Sequence, residues 1–135
     1  MKTGKTRHTI NVVTLGCSKN VVDSEFLMKQ LDANGMDVIY DSGPDKAKTV
    51  IINTCGFIKD AKQESIDKIL QFVKAKQEGQ INKLFVMGCL SMKYKDELKA
   101  NIKDVDRYFG TDDFRSILST IGVDYRKELV GERLL

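Results

Sequence analysis

Short runs of β-branched and apolar residues recur along the chain and predict β-strands. Three of them, at residues 10–15, 49–53 and 83–87, are apolar at most positions. Such continuous runs are typical of strands that are buried on both faces of a parallel sheet. Two shorter runs, at residues 37–40 and 105–109, predict weaker strands.

Between these runs, apolar residues recur every three or four positions, which is the spacing of one face of a helix. Four helices are predicted, one after each strand except the second. Gly35, Gly79 and Gly122 follow three of the apolar stripes and predict where those helices end. Thr111 and Asp112 are predicted to cap the last helix. The stripes contain Val22, Phe26, Leu27 and Leu31; Ile66, Ile69, Leu70 and Val73; Tyr94 and Leu98; and Phe114, Ile117, Leu118 and Ile121.

The resulting order, β-α-β-β-α-β-α-β-α, predicts an α/β fold. We expect a three-layer, flavodoxin-like parallel sheet of about five strands in the order 2-1-3-4-5, with helices on both faces. Residues 1–9 are predicted to be a flexible tail and residues 10–123 the folded domain. Residues 124–135 are predicted to begin a linker to a further domain, so that the chain would be a fragment.

Composition narrows the class of protein only a little. With 135 residues, 41% of them hydrophobic and 30% charged, the chain can form one domain with a real core, which excludes general disorder. Its 22 basic and 19 acidic residues leave a net charge of +3, too small to indicate nucleic acid or a membrane surface as a partner. No long apolar run and no apolar segment near the start are present, so we expect a cytoplasmic protein.

A cysteine follows the end of three predicted strands. Cys17 comes after the first strand, Cys55 after the third and Cys89 after the fourth. In an open parallel sheet, ligands bind outside the carboxyl ends of the strands, and adjacent strands are ~4.8 Å apart. Because the predicted order makes these three strands neighbours, we expect the three thiols to converge at one edge of the sheet.

Glycines lie beside all three cysteines. Gly16, Gly56 and Gly88 allow tight turns and a close approach of the backbone, which leaves room for a bulky ligand. Each cysteine also lies near the start of a predicted helix, where the helix dipole favours a thiolate.

The residues after Cys17 allow two interpretations. In the first, Asn20 is an N-cap, and Asp23 and Glu25 are first-turn acids that complement the helix dipole. Alternatively, Lys19 and Asn20 border a ligand pocket.

The number of thiols bears on the ligand. A structural zinc ion usually takes four protein ligands. A [4Fe–4S] cluster is usually held by four thiolates, so three would leave one iron open to a substrate or a sulfur species. A thiol redox protein is disfavoured because the chain has no Cys-x-x-Cys motif.

Three segments resemble one protein family. Residues 13–25, 50–58 and 86–90 are similar to the N-terminal domain of the radical S-adenosylmethionine methylthiotransferases. Ser18 and Lys19 resemble the branch that modifies an aspartate of a ribosomal protein, whereas the transfer RNA branch typically has Gln-Met here. The transfer RNA branch and a cluster-free, flavodoxin-like binding module are the alternatives. The flavodoxin-like module lacks support because Ser18, Lys19 and Asn20 do not form a Ser/Thr/Gly-rich phosphate loop.

The resemblance implies a specific role for this domain. Cys17, Cys55 and Cys89 would hold an auxiliary [4Fe–4S] cluster as metal ligands, and no catalytic residue is expected in this chain. A second [4Fe–4S] cluster and S-adenosylmethionine would belong to a radical domain, which the chain lacks together with the RNA-binding-type TRAM domain. The substrate would be the β-carbon of an aspartate in a small-subunit ribosomal protein. We expect no membrane or direct nucleic-acid contact by this domain and no activity of the chain alone. The expected pocket lining is Gly16, Ser18, Lys19, Asn20, Asn53, Thr54, Gly56 and Gly88.

Overall fold

Five parallel strands form a single sheet in the computed structural model, which describes residues 9–16, 18–56, 59–111 and 113–126. The strand order is β2-β1-β3-β4-β5, and every neighbouring pair is parallel. The predicted flavodoxin-like order is therefore confirmed, with β1, β3 and β4 adjacent. The strands are β1 (Thr9–Thr14), β2 (Asp37–Tyr40), β3 (Thr49–Thr54), β4 (Lys83–Gly88) and β5 (Arg107–Tyr108).

Four helices connect or follow the strands, in the predicted order. They are α1 (Ser18–Ala33), α2 (Lys59–Gln77), α3 (Cys89–Asn101) and α4 (Phe114–Ile121). None of the helices in the described ranges combines the length and the apolar character needed to span a bilayer.

The two faces of the sheet carry separate apolar cores, as alternation along the strands requires. In β3, Val50 and Ile52 belong to one core with α2 and α3, whereas Ile51 belongs to the other core with α1 and α4. β4 alternates in the same way, with Leu84 and Val86 on the first face. The molecule is thus the predicted three-layer sandwich.

The helix α3 extends beyond its apolar stripe. The stripe placed this helix around Tyr94 and Leu98, whereas the helix begins at Cys89, near which a helix start was expected, and it is kinked at Tyr94, whose φ of −120° and ψ of 26° are not helical. Its first residues, from Cys89 to Ser91, are all buried because they lie beneath the neighbouring strand end, so they show no amphipathic spacing.

The predicted caps of the last helix are also displaced. The N-cap of α4 is Asp113 rather than Thr111, and its carboxylate accepts a hydrogen bond from the N–H of Gly110 at 2.7 Å. Asp112 lies outside the described residues. The fifth strand is shorter than predicted and covers only Arg107–Tyr108. Just before it, the carboxylate of Asp106 accepts the N–H of Leu84 at 2.8 Å, and the N–H of Asp106 donates to the carbonyl of Leu84 at 2.8 Å.

Residues after α4 continue to pack against α1. The N–H of Arg126 donates to Oε1 of Gln30 at 2.8 Å, and the ring of Tyr125 lies 6.3 Å from that of Phe26. The predicted tail, at residues 1–9, and the predicted linker, at residues 124–135, lie mostly outside the described ranges, so that division stays a prediction.

Candidate functional site

Two of the three cysteines occupy equivalent places at the carboxyl edge of the sheet. Cys55 directly follows β3 and Cys89 directly follows β4, and the last residues of these strands, Thr54 and Gly88, are register partners. Both side chains are buried thiols. Cys17 lies outside the described residues, although its neighbours on both sides are described.

The backbone that leads to Cys17 runs directly against the sulfur of Cys55. Gly16 has a φ of 95°, and a Cβ built on it would lie 2.7 Å from Sγ of Cys55. No larger residue fits this position without a shift, and the left-handed φ itself favours glycine. The loop after β1 and the loop after β3 therefore meet where the sequence predicts a shared ligand.

The loops after β3 and β4 are equally close. Gly88 has a φ of 101°, and a Cβ there would lie 2.6 Å from Oδ1 of Asn53 and 2.7 Å from N of Thr54. On the other side, a Cβ on Gly56 would lie 3.1 Å from Cα of Leu90. Three cysteine-bearing loops thus lie together, and the position of the third sulfur stays a prediction. Within the described ranges alone, no group of three His, Cys, Asp or Glu residues could hold a metal ion.

Asn20 joins two of these loops. Its Nδ2 donates to the carbonyl oxygens of Leu15 at 2.8 Å and of Thr54 at 2.7 Å. It is 2% exposed and is the third residue of α1. The interpretation of Asn20 as an N-cap is therefore wrong. Its amide instead joins the carbonyl just after β1 to the carbonyl of the last residue of β3.

The acids assigned to the first turn of α1 do not lie there either. Asp23 is buried and forms an ion pair with Lys19, with 2.8 Å between Nζ and Oδ2. Lys19 itself is half-exposed and Ser18 is exposed, so both lie at the rim of the cysteine edge.

Asn53 and Thr54 are buried and tie β3 to its surroundings. The amide of Asn53 donates to the carbonyl of Asn20 at 2.9 Å and to the hydroxyl of Ser24 at 3.0 Å. The hydroxyl of Thr54 donates to the carbonyl of Met87 at 2.6 Å. These predicted lining residues therefore hold the loops together from behind.

Ser65, which sequence reasoning missed, binds both backbone groups of Cys55. Its Oγ accepts the N–H of Cys55 at 3.0 Å and donates to the carbonyl of Cys55 at 2.9 Å. The signal was available, since position 65 lies four residues before Ile69 on the buried stripe of α2. A serine on an apolar stripe indicates a specific hydrogen-bond partner.

The electrostatics of this edge favour an anionic ligand. α1 and α3 both begin here, at Ser18 and Cys89. The first N–H groups of a helix and its dipole attract negative charge, including thiolates and ligands bound by them. Cys55 and Cys89 are the described side chains at this edge best suited to a soft metal centre, because thiolates select iron–sulfur clusters and zinc.

Comparison with known proteins identifies relatives of most of the chain. The family described as "Uncharacterized protein family UPF0004" matches residues 9–110, which include all three cysteines. Over 132 residues the chain is 51% identical to the ribosomal protein uS12 methylthiotransferase RimO of Cytophaga hutchinsonii, covering 98% of this chain and 30% of the relative.

Two further relatives carry the same name. The RimO protein of Christiangramia forsetii is 54% identical over 128 residues, covering 95% of this chain and 28% of the relative. The RimO protein of Phocaeicola vulgatus is 51% identical over 129 residues, covering 96% and 30% respectively. The chain therefore spans a little under a third of the length of these relatives, and the matched part corresponds to their N-terminal domain.

A solved structure supports the fold alone. A flavodoxin from the domain Archaea superposes with a TM-score of 0.50 and 15% sequence identity, covering 90% of this chain and 99% of the flavodoxin.

Proposed function

Since this chain belongs to the UPF0004 family and is similar to the N-terminal domain of ribosomal-protein methylthiotransferases, we propose that it is the domain that holds the auxiliary [4Fe–4S] cluster of such an enzyme. One observation carries the proposal. The backbone before Cys17 lies against the sulfur of Cys55, and Cys89 occupies the matching place on the next strand.

The described residues fit a cluster of this kind. The donor set consists of thiols, which are the usual ligands of iron–sulfur clusters. Gly16 leaves the space beside the Cys55 sulfur that a Cβ would fill. Close by, the buried hydroxyl of Ser91 has no hydrogen-bond partner among the described residues, which is what a site built for a further group would leave.

We assign the three thiolates of Cys17, Cys55 and Cys89 as the cluster ligands. When bound through three thiolates, such a cluster supplies electrons and one iron that remains open to a sulfur ligand. The chain's own groups fix the ligands: Ser65 holds the backbone of Cys55, and Asn20 fixes the loops before Cys17 and Cys55 to each other. Lys19 and Ser18 at the rim would meet whatever approaches the open position.

The names of the relatives support the choice of substrate, and the family resemblance supports the remaining cofactors. Their name states that they act on ribosomal protein uS12. We propose that the complete enzyme installs a methylthio group on the β-carbon of an aspartate in this protein. S-adenosylmethionine and a second [4Fe–4S] cluster would be bound by a radical domain, and a TRAM domain would complete the enzyme. The reaction would take place in the cytoplasm.

Of the two alternatives, the transfer RNA methylthiotransferase differs only in its substrate. The relatives at 51 to 54% identity are named for a ribosomal protein, which favours the protein-modifying branch. The cluster-free, flavodoxin-like module has only the fold in its favour, since 15% identity to a flavodoxin carries no function.

The proposal is tested in a complete methylthiotransferase that carries this domain. Cys17→Ala, Cys55→Ala and Cys89→Ala should each abolish methylthiolation of the ribosomal aspartate, because two thiolates do not hold the cluster. Reductive cleavage of S-adenosylmethionine should remain, because that step is assigned to the radical domain. Mass spectrometry of the substrate protein and chromatography of 5′-deoxyadenosine measure the two reactions.

Ser119→Ala is the matched control, since Ser119 is exposed on α4, away from the cysteine edge. It should leave both reactions at the parental level. An enzyme with Cys55→Ala that modified its aspartate at the normal rate would show that the three-cysteine assignment is wrong.

A further inference from the structure

The first turn of α3 contains a buried hydroxyl that the fold does not use. Ser91 is 0% exposed, and its Oγ has no hydrogen-bond partner among the described residues. Buried side-chain hydroxyls in native proteins nearly always have a partner, so each exception calls for a physical reason. Ser91 lies two residues after Cys89, at the edge where the three cysteine loops meet.

Three neighbouring hydroxyl groups at this edge donate hydrogen bonds within the protein. Thr14 donates to the hydroxyl of Ser24 at 2.6 Å. Thr54 donates to the carbonyl of Met87 at 2.6 Å, and Ser65 donates to the carbonyl of Cys55 at 2.9 Å. The network therefore fixes the loops completely without the hydroxyl of Ser91.

Ser91 has no helical carbonyl to which it could donate. A helical serine commonly donates to a carbonyl three or four residues earlier, but for Ser91 these residues are Gly88 and Met87, which belong to β4. The carbonyl of Met87 accepts the hydroxyl of Thr54. The N–H of Ser91 makes a long contact of 3.4 Å to the same Thr54 hydroxyl, so the backbone of this residue is held while its hydroxyl keeps a proton to donate.

Resting on the proposed function, we infer that the hydroxyl of Ser91 donates a hydrogen bond to a sulfur of the cluster held by Cys17, Cys55 and Cys89. A hydrogen bond to sulfur stabilises the reduced, more negative state of a cluster and raises its reduction potential. Ser91 is thus a tuning residue that acts on the cluster from outside its ligand set. The cluster would supply the acceptor that the described residues do not supply.

The test compares the chain carrying Ser91→Ala with the parent and with Ser91→Thr, which keeps the hydroxyl. In the metal-free protein, Ser91→Ala should unfold at the same urea concentration as the parent or at a higher one, since no bond is lost. After anaerobic reconstitution, its cluster should have a more negative reduction potential than the parent's in a titration followed by electron paramagnetic resonance. Ser91→Thr should restore the potential to the parental value, and Ser119→Ala should not change it.

Each outcome decides the matter. A loaded Ser91→Ala chain with the parental potential would overturn this inference and leave the proposed function standing. A metal-free Ser91→Ala chain that lost as much stability as Ser65→Ala would also overturn it, because the hydroxyl would then have a partner in the protein. A parent chain that took up no iron would overturn the proposed function, and this inference with it.

Discussion

At the scale of single residues, one hydroxyl fixes the position of a proposed ligand. Ser65 binds both the N–H and the carbonyl of Cys55, so the backbone of that cysteine cannot rotate without losing two buried hydrogen bonds. Asn20 likewise fixes the backbone nearby, because its amide donates hydrogen bonds to the carbonyls of Leu15 and Thr54. The backbone around Cys55 is therefore held by residues that are not themselves proposed as ligands.

Ser65→Ala should cost about 1–3 kcal/mol of unfolding free energy, because it leaves a buried N–H and a buried carbonyl of Cys55 unpaired. Urea unfolding of the metal-free chain measures this difference. Ser119→Ala, on an exposed position, should change the unfolding free energy by less than about 0.5 kcal/mol. Equal stability of the Ser65→Ala chain and the parent would show that the two hydrogen bonds contribute nothing to the fold.

The sequence predicted the cysteines at the end of the sheet better than it predicted the polar residues around them. Cys55 and Cys89 could be placed because strand ends are readable from apolar runs. Asn20 was misassigned because an asparagine near a helix start is equally suited to capping, and only the tertiary fold reveals the two carbonyls that need it. Ser65 could be recognised as a serine on the apolar stripe of α2, but its partner, the backbone of Cys55, could not be predicted because it lies ten residues away in another element. Ser91 gave no distinct pattern.

At the scale of elements, the junction between β4 and α3 leaves no space for a side chain. The backbone turns from strand to helix within one residue, Gly88, whose φ is 101°. The atoms around it belong to Asn53 and Thr54 of the neighbouring strand. This turn places Cys89 at the first position of α3, which is why the helix begins earlier than its apolar stripe predicts.

Gly88→Ala should be more destabilising than Gly122→Ala, although both glycines have the same φ of 101°. Both changes incur the strain of the left-handed region, roughly 1–2 kcal/mol. Only Gly88 adds a clash, since nothing lies within 4 Å of a Cβ on Gly122. Overpacking adds about 1–3 kcal/mol, so urea unfolding should separate the two variants by that amount. Equal losses would contradict the close approach of β3 and β4 at this point.

Tyr108 of β5 secures the carboxyl end of α3 and should make stability depend on alkaline pH. Its hydroxyl donates to the carbonyl of Ile102 at 2.9 Å, and burial raises the pKa of Tyr108 from 10.0 to about 12. The folded state therefore favours the neutral phenol over the ionised one. The stability that this preference contributes is fully present below pH 10 and is lost as pH rises toward 12.

Tyr108→Phe should therefore be less stable than the parent at neutral pH, by about 0.5–1.5 kcal/mol for the lost hydrogen bond. Between pH 10 and 12 the difference should narrow, because only the parent loses stability through this phenol. Urea unfolding over this pH range measures both curves. If the unfolding free energies of the parent and of Tyr108→Phe changed equally with pH, the pKa of Tyr108 would not be raised by burial.

At the scale of the whole molecule, the strand order determines which loops meet. Alternating strands and helices predicted the parallel sheet, and the order with β1, β3 and β4 adjacent is what the fold shows. The exact starts of α3 and β5 could not be predicted from apolar runs, because contacts between neighbouring strands act there. They are the close approach of β3 to Gly88 and the hydrogen bond from the N–H of Leu84 to the carboxylate of Asp106. The same is true of the contact between Gly16 and Cys55, which depends on two loops separated by 39 positions (55 − 16).

The proposal that this domain holds a [4Fe–4S] cluster through three cysteines is tested most directly by the iron and sulfide content of this chain after anaerobic reconstitution, together with its absorption spectrum. We expect about four iron and four sulfide per chain, as for a [4Fe–4S] cluster, and loss of most of both when any one of Cys17, Cys55 or Cys89 is changed to alanine. Ser119→Ala should bind as much iron and sulfide as the parent. A chain with all three cysteines changed that bound as much iron as the parent would contradict the assignment of these cysteines as ligands, since the metal would then lie elsewhere.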